Sequence, residues 1–347
     1  MLAEFLLHSL EKRAAPAVRF IPEHCLRRRL SGHGCEICLS LCRAKALSES
    51  DGKILFVAEK CTGCMACVSG CPNDAFGGGP DILSLPRLLR EAERQGPAVL
   101  SCGRAAGRAN RIAIPCLGLL AAPVLAALHC LASRDLYLDT GPCGDCPNGH
   151  VVDLLEERLQ AIKDKWGRAF SFGLRYFDAA VDDRDPGRQR RFFLSRAKDS
   201  LVGFGREVST VIEPTGNPGE EEAKDGKEAN KISRLLQQTL ELLPPEADRK
   251  RDLLRSYFYS LTVDANCDRC PACTGMCPTG ALQRRTGEAG KQLVFTSAAC
   301  SGCGLCVAFC RKKALTLRQG GGGRGTNDEG RRTKDEETEL TIANDGP

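Results

Sequence analysis

The chain has 347 residues, which is enough for two or three domains. Its 49 basic and 44 acidic residues give a net charge of only +5, and this mixture offers no compositional argument for nucleic-acid binding. The 21 cysteines are the unusual feature, because they leave disulfides and metal clusters as the two chemistries to decide between.

Compartment decides between those two chemistries. The first thirteen residues contain Glu4 and Glu11 and lack the apolar stretch of an export signal. We therefore expect a cytoplasmic protein, in which such cysteine spacings indicate metal binding. The longest apolar run, 117–131, contains Pro123 and is shorter than a membrane span, so we expect no integral membrane segment, although peripheral association stays open.

Four cysteine runs share one closing phrase, in which Cys-x-x-x-Ala is followed by Leu or Phe. The phrase begins at Cys42, Cys71, Cys277 and Cys310. The last three of these runs read C-x2-C-x2-C-x3-C, a spacing typical of bacterial iron-sulfur proteins and seldom of zinc sites. Three cysteines two residues apart can occupy three corners of one cubane, so the fourth ligand must come from elsewhere.

Short apolar strands separate the runs and bring them together in pairs. The first pair is joined by 44–60, which predicts a hairpin about Asp51-Gly52, and the second by 278–299. With these features the chain resembles the bacterial 2x4Fe-4S ferredoxins over about residues 20–80 and again over about 262–318. The resemblance implies two α+β ferredoxin-like domains that hold four 4Fe-4S clusters.

In that family the last cysteine of each run ligates the neighbouring cluster. The resemblance then implies four ligand sets, which we number in chain order. They are set 1 (Cys25, Cys35, Cys38, Cys71), set 2 (Cys42, Cys61, Cys64, Cys67), set 3 (Cys267, Cys270, Cys273, Cys310) and set 4 (Cys277, Cys300, Cys303, Cys306). Nine residues separate Cys25 from Cys35 instead of two, so set 1 could instead hold a 3Fe cluster or recruit His33.

The central part of the chain alternates strands and helices. Apolar strands are predicted at 98–102, 112–118 and 136–141, and helices at 119–135 and 151–167, a pattern that indicates an α/β unit with a parallel sheet. Four cysteines fall where these strands end or in the loop that follows, and we call them the central set: Cys102, Cys116, Cys143 and Cys146. Converging at one sheet edge, they could hold a 2Fe-2S cluster or zinc. Cys130 lies on the apolar face of the predicted helix and is interpreted as a buried hydrophobe.

The stretches Cys116-Leu117-Gly118 and Gly141-Pro142-Cys143-Gly144-Asp145-Cys146 resemble the delta (iron-sulfur) subunit of methyl-viologen-reducing hydrogenases over about fifty residues. That family links hydrogenase to heterodisulfide reductase, and the resemblance implies a 2Fe-2S electron relay. The single Cys102 departs from the family's first segment, which is richer in cysteines. Free or zinc-bound cysteines in a plain α/β domain are the alternative.

A helical connector and a polar tail complete the domain plan. Helical spacing is predicted over 187–204, over 231–243 and from Pro244-Pro245 through Leu261, with Phe192, Phe193, Tyr257 and Phe258 as packing residues. Residues 214–230 read as a charged linker and 319–347 as a disordered tail. We expect domains at 1–80, 81–182, 183–260 and 261–318, followed by that tail.

No dinucleotide, P-loop or zinc-protease motif is present in the sequence. The sequence therefore favours an electron-transfer subunit over a stand-alone enzyme. Its partner would be a redox protein or an oxidoreductase complex, such as a hydrogenase, a formate dehydrogenase or a heterodisulfide-reductase-like assembly of anaerobic metabolism. A catalytic reductase that uses the central set, and a cluster-sensing or assembly protein, are the alternatives. Basic groups near the runs read as solvated charge or as a docking surface for an acidic partner.

Overall fold

The computed structural model describes residues 18–104, 110–167, 227–287, 290–320 and 337–340. The chain divides into two compact units, the first formed by 1–175 with 227–347 and the second by 176–226. The second unit lies outside the described residues. The predicted helix over 187–204, with Phe192 and Phe193, and most of the predicted linker therefore fall there as well.

The described helices are short near the cysteines and longer elsewhere. They are α1 (Leu26–Arg29), α2 (Ile37–Leu41), α3 (Ala66–Gly70), α4 (Leu85–Glu93), α5 (Ala122–Leu131), α6 (Val151–Trp166), α7 (Lys231–Leu242), α8 (Asp248–Tyr257), α9 (Ala272–Met276) and α10 (Leu305–Phe309). Across this part of the chain, none of them is both long and apolar enough to cross a membrane.

The described strands form small separate sheets. They are β1 (Arg19–Phe20), β2 (Leu47–Ser50), β3 (Lys53–Phe56), β4 (Phe76–Gly77), β5 (Val99–Cys102), β6 (Arg111–Ile114), β7 (Tyr137–Asp139), β8 (Tyr259–Val263), β9 (Leu282–Gly287), β10 (Gly290–Thr296), β11 (Leu315–Gln319) and β12 (Glu337–Leu340). Antiparallel pairs join β1 to β4, β2 to β3, β8 to β11, and β10 to both β9 and β12.

The two ferredoxin-like regions lie near the two ends of the chain, and each contains the predicted hairpin. In the N-terminal region, 18–80, β2 and β3 pair antiparallel. Asp51 and Gly52 join them with φ of 51° and 74°, as a two-residue turn with both residues left-handed requires. In the C-terminal region, 259–320, β9 and β10 form the equivalent hairpin.

The predicted parallel sheet of the central region, 98–167, is present. Its strand order is β6-β5-β7, and β5 pairs parallel with both neighbours. Pro123 does not interrupt α5, because the helix begins at Ala122 and a proline is tolerated in the first turn, where its missing N–H has no helical partner. Because the three strands run parallel, their carboxyl ends lie at one edge of the sheet, next to the central cysteines.

Most of the described protein shares one hydrophobic core, which we call the large core. It contains buried residues of the N-terminal region, the central region and the connector helices, including Met65, Phe76, Leu100, Leu125, Leu155, Leu235 and Phe258. A second cluster, the small core, belongs to the C-terminal region and consists of Leu261, Cys273, Cys277, Ala281, Leu282, Leu293, Phe295 and Leu315. Tyr257 and Phe258 are buried in the large core as predicted, and Cys130 is buried there too.

Three predictions for the connector and tail are wrong in part. The last predicted helix ends at Tyr257, and the chain continues as β8, because β11 supplies its hydrogen-bonding partner. The linker prediction fails at its end, where Lys227 Nζ donates to Thr274 O at 2.6 Å and Asn230 caps α7. The tail contains Glu337–Leu340, a strand that pairs with β10 through backbone bonds.

Candidate metal centres

The four closing phrases adopt one backbone conformation. In each of them the third residue after the last cysteine is left-handed, with φ between 48° and 70°. These residues are Lys45, Asp74, Gly280 and Lys313. Three of the four carry a side chain in a conformation that normally favours glycine, so the turn is imposed by its surroundings rather than by local preference.

The left-handed residue aims the following alanine N–H at the cysteine sulfur. Ala46, Ala75 and Ala314 donate to the sulfurs of Cys42, Cys71 and Cys310 at 3.2, 3.3 and 3.4 Å. A donor aimed at a sulfur favours its thiolate form, which is the form that binds metal. In these three phrases Cys-x-x-x-Ala thus supplies a candidate ligand together with a hydrogen bond to its sulfur.

The Cys277 phrase is the exception. Here the Ala281 N–H is 3.4 Å from Thr279 Oγ1, and that hydroxyl lies 3.7 Å from the Cys277 sulfur. A threonine hydroxyl therefore stands between the amide and the sulfur.

Set 1 converges in the structure, including Cys25. All four of its cysteines line one small pocket together with apolar side chains such as Ile54 and Phe76. Burial, and then the negative charges of Cys35, Cys71 and Cys25, raises the pKa of the Cys38 thiol to about 12. The long spacing before Cys35 is bridged because α1 folds back, with Arg27 Nε donating to Cys35 O at 2.6 Å.

His33, the alternative ligand for set 1, does not line that pocket. It lines the larger cavity beside the set instead, where its Nδ1 atom is buried without a hydrogen-bond partner.

Set 2 lies next to set 1. Burial, and then the charges of Cys64, Cys61, Cys42 and finally Cys38, raises the pKa of the Cys67 thiol. The first three of these are the other members of set 2, and Cys38 belongs to set 1. Within this run Gly63 and Met65 are left-handed on either side of Cys64, so the loop coils tightly around its three cysteines.

The C-terminal region repeats this arrangement. Burial, and then Cys267 and Cys270, raises the pKa of the Cys273 thiol to about 11, as expected within set 3. In set 4, burial and then Cys303 and Cys277 raises the pKa of the Cys306 thiol to about 12, with a smaller effect from Cys273. Cys310, the remaining member of set 3, follows α10 and packs against the small core.

The central set gathers at the carboxyl edge of the parallel sheet. Burial, and then the charges of Cys102, Cys116 and Cys146, raises the pKa of the Cys143 thiol to about 11. Among the described residues, no three His, Cys, Asp or Glu side chains enclose a site for a single metal ion. The central set is a group of neighbouring thiols at this edge.

The central set is also adjacent to set 2. Burial raises the pKa of the Cys116 thiol, and among the cysteines that raise it further Cys64 comes first. Gly118 packs so tightly here that a methyl group in place of its hydrogen would overlap the carbonyl of Cys64. Asn148 fixes the same contact by donating to Thr62 O at 3.0 Å. Set 2 and the central set thus lie at the interface between the N-terminal and central regions.

Sets 1 and 4 face each other across a cavity of about 560 Å³, which Cys35, Cys71, Cys300 and Cys303 line. The start of α7 joins its two sides. Asn230 Nδ2 donates to Pro72 O at 2.8 Å, and Ser233 Oγ donates to Cys300 O at 3.3 Å.

Sequence reasoning missed this bridge, although an asparagine before an amphipathic run is an N-cap signal. It also missed Arg158 of α6, which the pattern classed only as a polar helix position. Its guanidinium donates to the carbonyls of Gly118 and Leu120 at 3.0 and 2.9 Å and to Ser69 Oγ at 3.0 Å. Burial lowers its pKa to about 10, and the charge of Cys64 opposes that shift.

The donor chemistry of sets 1 to 4 fits iron-sulfur clusters. Each set offers thiols, the ligand type that such clusters require, and burial raises the pKa of at least one thiol in every set. Bound iron would offset this cost, because a cation stabilises the thiolates that burial and mutual repulsion disfavour.

Comparison with known proteins agrees with this chemistry. Residues 54–76 match the family described as "4Fe-4S binding domain", and residues 261–311 match the "4Fe-4S dicluster domain". Ferredoxin-type 4Fe-4S domains are therefore present near both ends of the chain.

The chain is also 33% identical, over 61 residues, to a protein of Escherichia coli (strain K12) named "Putative electron transport protein YsaA". The match covers 17% of this chain and 39% of that relative, so the chain spans about two fifths of its length. No solved structure gives a significant match. Together the matches support an iron-sulfur electron-transfer role.

Proposed function

We propose that the chain is a multi-cluster electron-transfer protein that relays single electrons between a partner oxidoreductase and another carrier. When bound, a 4Fe-4S cluster supplies one-electron redox chemistry. Sets 1 to 4 would each hold one such cluster in the crossed pairing of the ferredoxins. The shared pocket of set 1 supports Cys25 as its fourth ligand.

The observation that carries the proposal is the order of the cysteine sets. The charge of Cys273 in set 3 raises the pKa of the Cys306 thiol in set 4. The charge of Cys38 in set 1 likewise raises the pKa of the Cys67 thiol in set 2. Cysteines of sets 4 and 1 line the same cavity. The charge of Cys64 in set 2 raises the pKa of the Cys116 thiol in the central set. These observations support a series that would run from set 3 through sets 4, 1 and 2 to the central set, the arrangement that a relay between two ends needs.

The central set would add a 2Fe-2S centre at one end of this series. Its four thiols at a sheet edge and the Cys116-Leu117-Gly118 motif support this assignment. By the same likeness to the hydrogenase delta subunit, the partner would be a hydrogenase, formate dehydrogenase or heterodisulfide-reductase-like complex in the cytoplasm. With this role we also propose the domain boundaries expected from the sequence, which are 1–80, 81–182, 183–260 and 261–318, followed by the tail.

Metal analysis tests the proposal directly. Protein purified without oxygen should contain about sixteen irons and a matching amount of acid-labile sulfide in sets 1 to 4, because each cubane has four of each. The central set would add two irons. Stoichiometric zinc with little sulfide would end the cluster assignment.

Paired substitutions test the crossed ligation. Cys42→Ser and Cys61→Ser should perturb the same cluster in Mössbauer and EPR spectra, because both belong to set 2. Cys38→Ser, four residues before Cys42 in the same run but assigned to set 1, is the matched control and should perturb the other cluster. If Cys42→Ser and Cys38→Ser instead affect the same cluster, the pairing is wrong.

The central centre needs its own test. Replacing Cys143 and Cys146 together should abolish a 2Fe-type EPR signal and leave the cubane signals intact. An unchanged spectrum would leave the central set as free thiols in an α/β domain.

A further inference from the structure

We propose that Arg158 is the counter-cation of set 2 and raises the reduction potential of the cluster held there. The proposal rests on the proposed function, because it requires a cluster in set 2. It assigns to Arg158 a role in setting the direction of electron flow between set 2 and the central set.

Among the described residues, Arg158 has no hydrogen-bonded carboxylate partner, and the charge of Glu157 favours its charged form less than that of Cys64 does. Its three hydrogen bonds go to neutral oxygens of Gly118, Leu120 and Ser69. In the described part of the chain, no acidic side chain forms an ion pair with it, and the neighbouring Glu157 is exposed. A guanidinium taken from water loses hydration energy, so a nearby negative group is needed to compensate.

The nearest candidate for that negative group is set 2. Arg158 holds the carbonyl of Gly118, and Gly118 is packed directly against the backbone of Cys64. Ser69, the third partner, lies on α3, the helix that follows Cys64 and contains Cys67. The guanidinium is thereby fixed on the side of set 2 that faces Cys116.

A fixed cation changes the redox balance of its neighbour. Reduction adds one negative charge to a cluster, and a nearby positive charge stabilises the reduced form more than the oxidised form. Arg158 should therefore raise the midpoint potential of set 2. Sets 3 and 4, which belong to the C-terminal region with its own small core, should be affected less.

Charge and hydrogen bonding can be separated by two substitutions. Arg158→Gln removes the charge and keeps a donor, while Arg158→Lys keeps the charge and loses the fork that makes three bonds. EPR-monitored redox titration of anaerobic protein measures each midpoint potential. We expect Arg158→Gln to lower the midpoint potential of set 2 by at least about 59 mV, which corresponds to a tenfold change in the equilibrium constant of a one-electron transfer. Arg158→Lys should stay near the native value.

Arg249 provides the matched control. Its guanidinium also donates to two backbone carbonyls, those of Cys130 and Ala132, both at 3.3 Å. Its charge acts to lower the pKa of the Cys130 thiol, against the larger effect of burial, and Cys130 belongs to none of the five sets. Arg249→Gln should therefore leave the set 2 potential unchanged.

Each outcome decides the proposal. If Arg158→Gln loses the set 2 cluster while Arg158→Lys retains it near the native potential, the charge is required and the proposal holds. If Arg158→Gln keeps the cluster at an unchanged potential, or both variants lose it alike, the role is structural and the proposal fails. Native protein without iron would overturn the proposed function itself, which is a different result.

Discussion

The N-terminal and C-terminal regions contain the same cysteine turns in different surroundings. Sets 1 and 2 lie against the large core, which the central region and the connector helices complete. Sets 3 and 4 lie around the small core, and Cys270 of set 3 is exposed. The same turn thus forms in both regions, whereas the surrounding elements determine how far each set is shielded from water.

The contrast has a functional consequence for the relay. Cys270 is exposed, whereas the cysteines of sets 1 and 2 are half-buried or buried, so a partner could approach set 3 most closely at Cys270. Arg269, Arg311, Lys312 and Lys313 are exposed beside set 3, together with Asp264 and Asp268. The two ends of the proposed series therefore differ: the central set lies at a sheet edge, and set 3 is at the surface.

The largest expected effect is at the junction of the N-terminal and central regions. In Gly118→Ala the new methyl would overlap the carbonyl of Cys64, and a backbone atom cannot rotate away as a side chain does. We expect a loss of about 3 kcal/mol of stability, the upper part of the usual range for overpacking. The iron of set 2 should fall as well. Thermal unfolding and iron analysis measure both.

Gly144→Ala is the control for that change, because no atom lies within 4 Å of the position its methyl would take. It should behave as the native protein. Equal stability of the two variants would mean that the regions are not locked together at Gly118.

A cavity in the large core should have the next largest effect. Leu125 of α5 is completely buried, so Leu125→Ala should cost about 2–5 kcal/mol. Leu55, which is 49% exposed, gives a control substitution of the same chemistry, Leu55→Ala, that should cost about 0.5 kcal/mol or less. The fluorescence of Trp166, which packs against Tyr257 beside α5, follows this core.

The same variant separates the two cores. Hydrogen exchange of the β9–β10 hairpin should be unchanged in Leu125→Ala, because that hairpin belongs to the small core. Faster exchange there, in parallel with the large core, would show that the described protein unfolds as one cooperative unit.

Elements coded by neighbouring residues could be predicted from the sequence. The Asp51-Gly52 hairpin and the parallel sheet depend on turn residues and on the alternation of strands and helices. The helix after Cys116 is predicted at 119–135, but it begins at Ala122, where Pro123 fits the first turn. The left-handed turns could be located only by their repeated phrase, since Lys45 and Lys313 carry no conformational signal of their own.

Elements that depend on distant partners could not be predicted. The segment Tyr259–Val263 reads as the end of a helix until β11 pairs with it, and Glu337–Leu340 becomes a strand only beside β10. Arg158 looked like any charged position on an exposed helix face. Its role depends on carbonyls that lie 38 and 40 residues away in sequence.

A smaller effect is expected from the hydrogen bonds at the same junction. Ser69 Oγ donates to Gly118 O at 2.7 Å and accepts from Arg158 at 3.0 Å. Ser69→Ala leaves a buried carbonyl and part of the guanidinium fork with one partner fewer, at a cost of about 1–2 kcal/mol. Ser40→Ala removes an exposed hydroxyl that donates to Ile37 O, and it should cost only a few tenths of a kcal/mol of stability. Identical melting temperatures for the two variants would contradict this.

The smallest effect is expected at Cys130, the buried cysteine of the large core that belongs to no set. Burial raises the pKa of its thiol to about 12, so the reactive thiolate stays rare at pH 8. Iodoacetamide should leave Cys130 unmodified in folded protein, and its labelling should quicken as the pH rises. Cys270 is the exposed counterpart and should label first once a chelator removes iron. Peptide mapping compares them, and Cys130→Ala should retain all the iron. Rapid labelling of Cys130 would contradict its burial in the large core. Iron lost in Cys130→Ala would instead indicate that Cys130 is a ligand.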